Sequence, residues 1–278
     1  MQAREMDALV DALVTRVQEA LGSGSSDATF QWQYGAGWNA NTTLVPGHVI
    51  HAAGRIDRQV ASHIDHTMLK PEVTNDDLTK LCEEARRYRF FSVCVNSSNV
   101  PLCVDLLRGS GVLTICVVGF PLGACLPQVK AYEAAEAIKL GAKEIDTVIN
   151  IGALKSGDFD TVLKDLAMTV EASRPYPVKV ILETSKLTQE EKVAGCVLSR
   201  EAGAAFVKTS TGFGGGGATI EDVKLMKQVV GAAGVKVKAS GGVRNAEQAW
   251  AMLEAGADRI GASSSVAVVT GGHAKGGY

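Results

Sequence analysis

The chain has 278 residues, which is enough for one large domain or two small ones. Hydrophobic residues make up 46% of it and charged residues 21%, as in ordinary globular proteins with a sizeable core. A net charge of −2 without a dominant basic block argues against nucleic acid or an anionic membrane surface as the main partner. No apolar run approaches the roughly 18 residues that a membrane span requires. The six cysteines form no CxxC pair and follow no signal peptide, so we expect reduced thiols and a cytoplasmic location.

The chain begins with a segment that differs from the rest. Residues 1–21 are predicted to form an amphipathic helix, because apolar side chains recur at helical spacing. These side chains are Met6, Leu9, Val10, Leu13, Val14, Val17 and Leu21. "GSGSSD" then reads as a flexible linker, and the whole of residues 22–59 shows no clear period. We therefore predict a helix over 1–21, a linker or irregular extension over 22–59, and a folded domain over 60–278.

From residue 60 onward, short apolar strands alternate with segments of helical pattern. The strands are predicted at about 61–66, 90–96, 113–119, 144–150, 178–183, 205–210, 235–239 and 259–262. Helices are predicted for "NDDLTKLCEEARRYR", "QVKAYEAAEAIKL" and "NAEQAWAMLEA", and three helices end at a glycine in "LGAKEI", "AGAAFV" and "AGADRI". Eight such units favour an α/β protein of the (β/α)8 TIM barrel class. The rival is a doubly wound open sheet, which needs a glycine-rich turn after the first strand that "IDHTMLKP" does not supply.

Polar residues stand at the ends of these apolar strands. In order they are Asp65, Asn96, Asp146, Glu183, Lys208, Lys238 and the serines of "GASSS". In a barrel of this class the chemistry lies at the C-terminal ends of the strands. The sequence therefore predicts a polar ring at one mouth of the barrel.

Two lysines on consecutive strands are the main candidates for chemistry. Lys208 and Lys238 each precede a run of small residues that ends in glycine. Neighbouring strands lie under about 5 Å apart, so the two amines can approach each other. At about 4 Å, two ammonium groups repel by roughly 4 kcal/mol at an effective dielectric constant near 20. That lowers one pKa by about three units, and the free amine can attack a carbonyl. The alternative is that each lysine reaches the rim or pairs with an acid.

Two aspartates accompany the lysines. Asp146 lies in the apolar fourth strand, where its carboxylate could hold a lysine amine, orient a water or move a proton. A structural ion pair with Lys208 or Lys238 is the compatible alternative. Asp65 ends the first strand, where a helix N-cap or a turn role is the alternative. The histidines, including the neighbouring His66, show no metal-ligand spacing, so we predict no metal site.

Glycine runs follow the last three strands. They are "TGFGGGGAT", "SGGVRN" and "GASSS". Turns of this type expose backbone N–H groups that bind phosphate, and this fold usually places a phosphate at its last two strands. The runs therefore predict a phosphate site.

Taken together, the strand motifs resemble one enzyme family. "IDHTMLKPE", "SVCVN", "EIDTVINIGALKSGD", "VKVILET", "FVKTSTGF", "VKASGGVR" and "GASS" are similar to the deoxyribose-phosphate aldolases. These are class I aldolases on a (β/α)8 barrel, and the resemblance runs from about residue 60 to the end. It implies reversible cleavage of 2-deoxy-D-ribose 5-phosphate to glyceraldehyde 3-phosphate and acetaldehyde through a lysine Schiff base. It implies no metal and no cofactor, and we expect a homo-oligomer.

The resemblance also implies roles for individual residues. Lys208 stands at the Schiff-base position of "KTSTG", Lys238 at the lysine that depresses its pKa, and Asp146 at the proton-relay aspartate. Asp65 has a supporting role. The residues that it implies for phosphate binding are Gly212, Gly241, Gly242, Ser263 and Ser264. Some members carry a lysine directly after the "KTSTG" glycine, where this chain has Phe213.

Two other functions remain open from the sequence. One is a different Schiff-base aldolase, such as a transaldolase-like enzyme acting on a ketose phosphate. The other is a catalytically silent barrel that serves as a binding or scaffold protein. The intact set of Lys208, Lys238 and Asp146 argues against both.

The segment before the barrel suggests a location. A short amphipathic helix followed by a Gly/Ser linker resembles the encapsulation peptides of cargo enzymes in bacterial microcompartments. This predicts that residues 1–21 bind a shell protein and place the enzyme in the microcompartment lumen. The alternative is that the helix packs on this protein's own barrel or across a subunit contact, since an isolated helix of this length is marginally stable in water.

Overall fold

The computed structural model describes residues 56–272 and five positions of a helix near the N-terminus, Ala8, Asp11, Ala12, Val14 and Thr15. Most of the predicted segments 1–21 and 22–59 therefore lies outside the described residues. Within the described part of the chain, no helix combines the length and the apolar character needed to cross a membrane.

Eight parallel strands close into a barrel and neighbour one another in chain order. They are β1 (Ile64–Thr67), β2 (Ser92–Asn96), β3 (Leu113–Val118), β4 (Glu144–Val148), β5 (Val178–Ile181), β6 (Phe206–Lys208), β7 (Lys236–Ser240) and β8 (Arg259–Ala262). This confirms the predicted (β/α)8 barrel. Six strands are shorter than predicted, whereas β7 and β8 have the predicted lengths.

Helices surround the barrel, most of them in the intervals between strands, with one helix before β1 and one after β8. They are α1 (Arg58–Ala61), α2 (Asn75–Tyr88), α3 (Val100–Leu106), α4 (Pro127–Lys139), α5 (Ile151–Lys155), α6 (Phe159–Ala172), α7 (Gln189–Glu201), α8 (Ile220–Val230), α9 (Ala246–Glu254) and α10 (Ser265–Thr270). Short 3₁₀ turns occur at Ser97–Asn99, Thr184–Lys186 and Gly231–Ala233. The three helices predicted from sequence are present as α2, α4 and α9.

Local sequence signals fix the ends of these helices. Thr74 and Asp77 form a capping box at the start of α2, in which each side chain accepts a hydrogen bond from the other residue's backbone N–H. Gly141, Gly203 and Gly256 follow three helices with φ of +111°, +83° and +109°. Residues other than glycine rarely adopt such backbone angles, which explains the repeated glycine before the next strand.

The apolar core lies mainly between the outer faces of the strands and the helices. The barrel interior differs, because its apolar cluster is small and consists of Leu69, Cys94, Ile115 and Val117, with Phe120 packed against it. The interior also contains a group of buried charged side chains, which lie around the ring of Phe206.

A buried ion pair fixes the end of β4 to the helices. Lys130 of α4 is fully buried, and its Nζ donates to Asp165 Oδ2 at 2.5 Å and to the backbone oxygen of Val148 at 2.7 Å. Val148 is the last residue of β4, two positions after Asp146. The pair therefore connects α4 and α6 to the strand that carries the candidate aspartate.

The N-terminal helix contacts the barrel domain at one described position. Val14 is half-buried and packs against the main apolar core, whereas Ala8, Asp11, Ala12 and Thr15 are exposed. One apolar residue of this helix, Val14, thus packs against the barrel domain of the same chain.

Candidate active site

A cleft of about 330 Å³ opens at the C-terminal ends of the strands. Its lining includes Lys208 together with the turns after β6, β7 and β8. Six of the predicted site residues lie in this lining, and they are Lys208, Gly212, Gly241, Gly242, Ser263 and Ser264. The cleft therefore joins the candidate nucleophile to the predicted phosphate turns.

Lys208 is the last residue of β6 and is only 2% exposed. Its Cα is paired with that of Lys238 across the β6–β7 ladder, as expected for neighbouring strands. The Nζ of Lys208 donates to Asp146 Oδ2 at 2.8 Å. Lys208 thus connects the cleft to the charged interior of the barrel.

Asp146 binds three lysines from three different strands. Its Oδ2 accepts from Lys208 and from Lys238, both at 2.8 Å, and its Oδ1 accepts from Lys179 at 2.9 Å. The carboxylate is completely buried. Both predicted partners of Asp146 are therefore present, and Lys179 is an addition that the strand-end pattern did not indicate.

Asp65 lies beside Lys238 and not at a turn. Its Oδ2 forms an ion pair with Lys238 at 2.6 Å, and its Oδ1 accepts from Arg259 at 2.8 Å and from the Ser92 hydroxyl at 2.7 Å. These contacts exclude the N-cap alternative. Glu144 completes the cluster through ion pairs with Lys179 and Arg259.

Of the predicted polar ring at the barrel mouth, Lys208, Ser263 and Ser264 line the cleft, and three other members are fully buried below it. Asp65, Asp146 and Lys238 have no exposed surface and lie outside the cleft lining. Asp65 and Asp146 are each followed by two further strand residues, so their side chains enter the barrel below its rim. Gly261 leaves room for Lys238, because a Cβ there would lie 3.0 Å from Lys238 Cε.

The charges of this buried cluster balance only when one lysine is neutral. Three carboxylates, Asp65, Glu144 and Asp146, face four basic side chains, Lys179, Lys208, Lys238 and Arg259. A low-dielectric interior disfavours an unbalanced charge. Since the cluster has one more cation than carboxylates, loss of one proton brings it to neutrality.

The directions of the pKa shifts single out Lys208 as the lysine of the cluster that loses its proton most readily. Burial lowers the pKa of Lys208, and the neighbouring Lys238 lowers it further, against the attraction of Asp146. Burial also opposes the charged form of Lys238, but Asp146 and Asp65 together raise the pKa of Lys238 well above its usual range. Burial would raise the pKa of Asp146, but its three lysines hold that pKa well below the usual range. Of the two effects that lower the pKa of Lys208, burial is thus the larger and repulsion from Lys238 is the smaller.

The glycine turns pack backbone against backbone at the cleft. The N–H of Ala218 donates to the carbonyl of Gly241 at 3.0 Å. A Cβ at Gly217 would lie 2.6 Å from that oxygen, so no larger residue fits there without a shift. Gly241 and Gly242 have φ of +84° and +79°, which favours glycine at both positions.

The cleft also contains a basic residue that the strand-end pattern missed. Arg244 lies in the lining, two residues after the glycine pair of the β7 turn. Arg244 is exposed, and its backbone N–H donates to Gln248 Oε1 at 2.8 Å. The arginine in "SGGVR" was the available sequence signal, because a basic side chain beside a glycine turn suits an anion.

The shared carboxylate makes the pKa of Lys208 sensitive to Lys238. In Lys238→Leu we expect the pKa of Lys208 to rise by more than about one unit, since a repelling charge and a competitor for Asp146 are both lost. A given fraction of free Lys208 amine is then reached only at a higher pH. The measurement is the pH dependence of borohydride trapping of an aldehyde on Lys208.

Lys179→Met is the matched control, because it removes a buried cation from the other oxygen of the same carboxylate. A smaller rise is expected there, with circular dichroism confirming the fold of both variants. An unchanged titration in Lys238→Leu would mean that burial alone sets the pKa of Lys208.

Comparison with known proteins places this geometry in a family. Residues 59–271 match the model of the DeoC/LacD family aldolases. A deoxyribose-phosphate aldolase from Bdellovibrio bacteriovorus is 54% identical over 220 residues, which are 79% of this chain and all of the relative. A crystal structure from Coccidioides immitis, provisionally assigned as a deoxyribose-phosphate aldolase, has a TM-score of 0.77 at 36% identity and covers 97% of both chains. The tetrameric deoxyribose phosphate aldolase of Aeropyrum pernix has a TM-score of 0.72 at 34% identity, over 76% of this chain and 90% of its own. The chain belongs to the DeoC/LacD family of aldolases.

Proposed function

We propose that this protein is a deoxyribose-phosphate aldolase, which reversibly cleaves 2-deoxy-D-ribose 5-phosphate to glyceraldehyde 3-phosphate and acetaldehyde. The observation that carries this proposal is the position of Lys208. Its amine lies at the boundary between a cleft and a buried ionic cluster, and its pKa is lowered. The identity of 54% to a deoxyribose-phosphate aldolase from Bdellovibrio bacteriovorus supports the choice of substrate.

The first chemical step uses the free amine of Lys208. Its nitrogen attacks the C1 aldehyde carbon of the open-chain sugar, and the resulting carbinolamine takes up one proton and loses water to give an iminium. The iminium carries a positive charge next to Asp146, whose carboxylate is already within 2.8 Å of the nitrogen. Because this carboxylate is fixed before the reaction, it stabilises the developing charge without reorganisation. Lys238 stays protonated and holds Asp146 in place.

The second step breaks the C2–C3 bond. The C3 hydroxyl gives its proton to a relay water, and the electrons of the C2–C3 bond move into the iminium. The products are glyceraldehyde 3-phosphate and an enamine on Lys208. Protonation of the enamine at C2 and hydrolysis then release acetaldehyde. Since the pKa of Asp146 is held low by three lysines, we assign to it the orientation of a relay water and not the storage of a proton. Asp65 supports this arrangement through Lys238.

The phosphate group is assigned to the glycine turns of the cleft. Gly212, Gly241, Gly242, Ser263 and Ser264 line the cleft, and backbone N–H groups and serine hydroxyls are donors of the kind that bind phosphate. Where some relatives have a lysine after the "KTSTG" glycine, Phe213 packs edge-to-face on Phe120 with ring centroids 5.4 Å apart. We assign the missing positive charge to Arg244 of the same cleft.

A homo-oligomer in the cytoplasm is the setting that we infer. Exposed apolar side chains are concentrated on and before α4, where Leu122 is 74% exposed, Leu126 and Tyr132 are each 69% exposed, and Val129 is 50% exposed. A patch of this kind marks an interaction surface, and a relative from Aeropyrum pernix is tetrameric. All six cysteines are free and five are buried, as suits a reducing compartment.

For the N-terminal helix we favour docking on this protein over docking on a microcompartment shell. Val14 packs against the barrel's core, so part of the apolar face already has a partner. Binding of residues 1–21 to a shell protein, with the enzyme in the lumen, stays a prediction from sequence.

Trapping of the Schiff base tests the proposed function. With acetaldehyde and borohydride, we expect one reduced two-carbon adduct on Lys208, located by peptide mass spectrometry. Lys208→Met should show none. Lys236 is the internal control, because burial lowers its pKa too but it stands outside the cleft lining. An adduct only with dihydroxyacetone would favour the transaldolase-like alternative, and a wild-type protein without any adduct would favour a silent barrel.

A second prediction tests the phosphate site. Ser264→Asp places a carboxylate where the phosphate is assigned, so kcat/KM for 2-deoxyribose 5-phosphate should fall at least about tenfold. Unphosphorylated deoxyribose should change little, and Ser264→Ala should retain most activity on both. Equal losses on both sugars would point to a general defect and contradict the assignment.

A third prediction tests the docking of the N-terminal helix. Val14→Asp introduces a charge at a half-buried site, which costs about 1 kcal/mol and lowers the midpoint of thermal unfolding by about 2–4 °C. Ala12→Asp is the matched control, because Ala12 is exposed on the same helix. Equal midpoints for the two variants would count against docking on the barrel, and residues 1–27 fused to a fluorescent protein would then be tested for recruitment to a shell.

A further inference from the structure

Glu183 adopts a backbone conformation that is unfavourable for its residue type. It lies just after β5, with φ of +57° and ψ of +60°, and is only 3% exposed. Among residues 56–272, Arg89 is the other non-glycine residue with positive φ. Strain of this kind persists where the surrounding contacts require it, and it is concentrated at functional sites.

The carboxylate of Glu183 is bonded to the start of the glycine loop, which we define as residues 211–217. Its Oε2 accepts from the backbone N–H of Thr211 at 3.3 Å and from the Thr211 hydroxyl. The Thr211 oxygen in turn accepts from the backbone N–H of Phe213 at 2.9 Å. A single carboxylate oxygen therefore binds two groups of the loop, the backbone N–H and the side-chain hydroxyl of Thr211.

The glycine loop also packs directly on this turn. A Cβ at Gly214 would lie 2.5 Å from the carboxyl carbon of Glu183, and a Cβ at Gly216 would lie 2.3 Å from the Cβ of Ser185. The loop can approach so closely only because both positions are glycine. Glu183 and Ser185 thus form the surface on which the glycine loop packs.

Glu183 itself is not in the cleft lining, whereas Thr211, Gly212, Gly215, Gly216 and Gly217 are. Its Oε1 is buried without a hydrogen-bond partner among the described residues. A buried carboxylate with one unsatisfied oxygen is unfavourable as a purely structural element. Its contacts with the loop account for its position.

We propose that Glu183 is a positioning residue that holds the glycine loop in the shape that receives the substrate's phosphate. It acts through Thr211 and Gly214 and touches neither the sugar nor Lys208. The inference rests on the proposed function, because it assigns to the loop the phosphate of that substrate. It predicts that loss of the carboxylate affects phosphate recognition more than Schiff-base chemistry.

The experiment separates the carboxylate from the backbone strain. Glu183→Gln retains the length and an oxygen that can accept both bonds from Thr211. Glu183→Asn is too short to reach Thr211, yet asparagine tolerates positive φ better than most residues, so the turn itself is preserved. Thr211→Val removes the hydroxyl from the other side of the contact, and the double variant Glu183→Asn/Thr211→Val completes a cycle.

We expect Glu183→Asn to raise KM for 2-deoxyribose 5-phosphate about tenfold or more, with a smaller change in kcat. The affinity for inorganic phosphate, measured by calorimetry, should fall in parallel. The values of kcat/KM for unphosphorylated deoxyribose and the yield of the acetaldehyde adduct on Lys208 should stay close to wild type. Glu183→Gln should recover most of the phosphate affinity, and the double variant should be little worse than either single variant.

The outcomes distinguish this inference from the proposed function. Equal losses on phosphorylated and unphosphorylated sugar, or unchanged affinity for inorganic phosphate, would overturn the role of Glu183 while the wild-type enzyme remained an active aldolase. Additive losses in the double variant would also contradict a shared contact. A wild-type protein that forms no adduct and cleaves no sugar would instead refute the aldolase proposal.

Discussion

The site depends on one carboxylate that is shared by three lysines. Asp146 accepts hydrogen bonds from Lys179, Lys208 and Lys238 on three consecutive strands, in the interior of a closed barrel. No single lysine has the whole attraction of this carboxylate. Lys238 has Asp65 as a second acidic neighbour, and Lys179 has Glu144. Lys208 has only its share of Asp146, so it is the lysine for which burial outweighs ion pairing.

This arrangement requires the barrel fold. The groups of the cluster come from β1, β4, β5, β6, β7 and β8, and they meet only because the sheet closes on itself. A buried group of this kind is costly, and close packing of the surrounding core is what holds it together. The ion pair of Lys130 with Asp165 fixes the end of β4 from outside, and Gly261 leaves space for Lys238 from inside. The fold therefore sets the pKa of Lys208 through the positions of groups that are far apart in sequence.

The sequence predicted the barrel and most of the cleft because those features have local signals. Strand and helix periods, the glycines at helix ends and the glycine turns are each visible within about ten residues. The proximity of Lys208 and Lys238 was also predictable, since they lie on consecutive strands. Their common attachment to one oxygen of Asp146 was not, because it depends on the tilt and stagger of β4 relative to β6 and β7.

The depth of the charged side chains within the barrel was not predicted from the sequence. Asp65 and Asp146 were predicted at the mouth but lie below it, and Lys179, Glu144 and Arg259 were not singled out. A signal did exist, because Glu144 and Asp146 alternate in β4 and Lys236 and Lys238 alternate in β7, which places each pair on one face of its strand. Glu183 was named among the strand-end residues, but its contact with the glycine loop could not have been predicted, because it depends on a positive φ and on a loop nearly thirty residues away.

The central claim is that Lys208 loses its proton more readily than the other lysines of the cluster, whose pKa values are raised. The most direct measurement is a pH titration of the lysine side chains by NMR, with Lys208 and Lys238 assigned through their substitutions. The account predicts that Lys208 loses its proton below the ordinary lysine value of about 10.4, while Lys238 remains protonated throughout the range in which the protein is folded. A Lys208 that titrates at or above that value, or a Lys238 that loses its proton first, would contradict it.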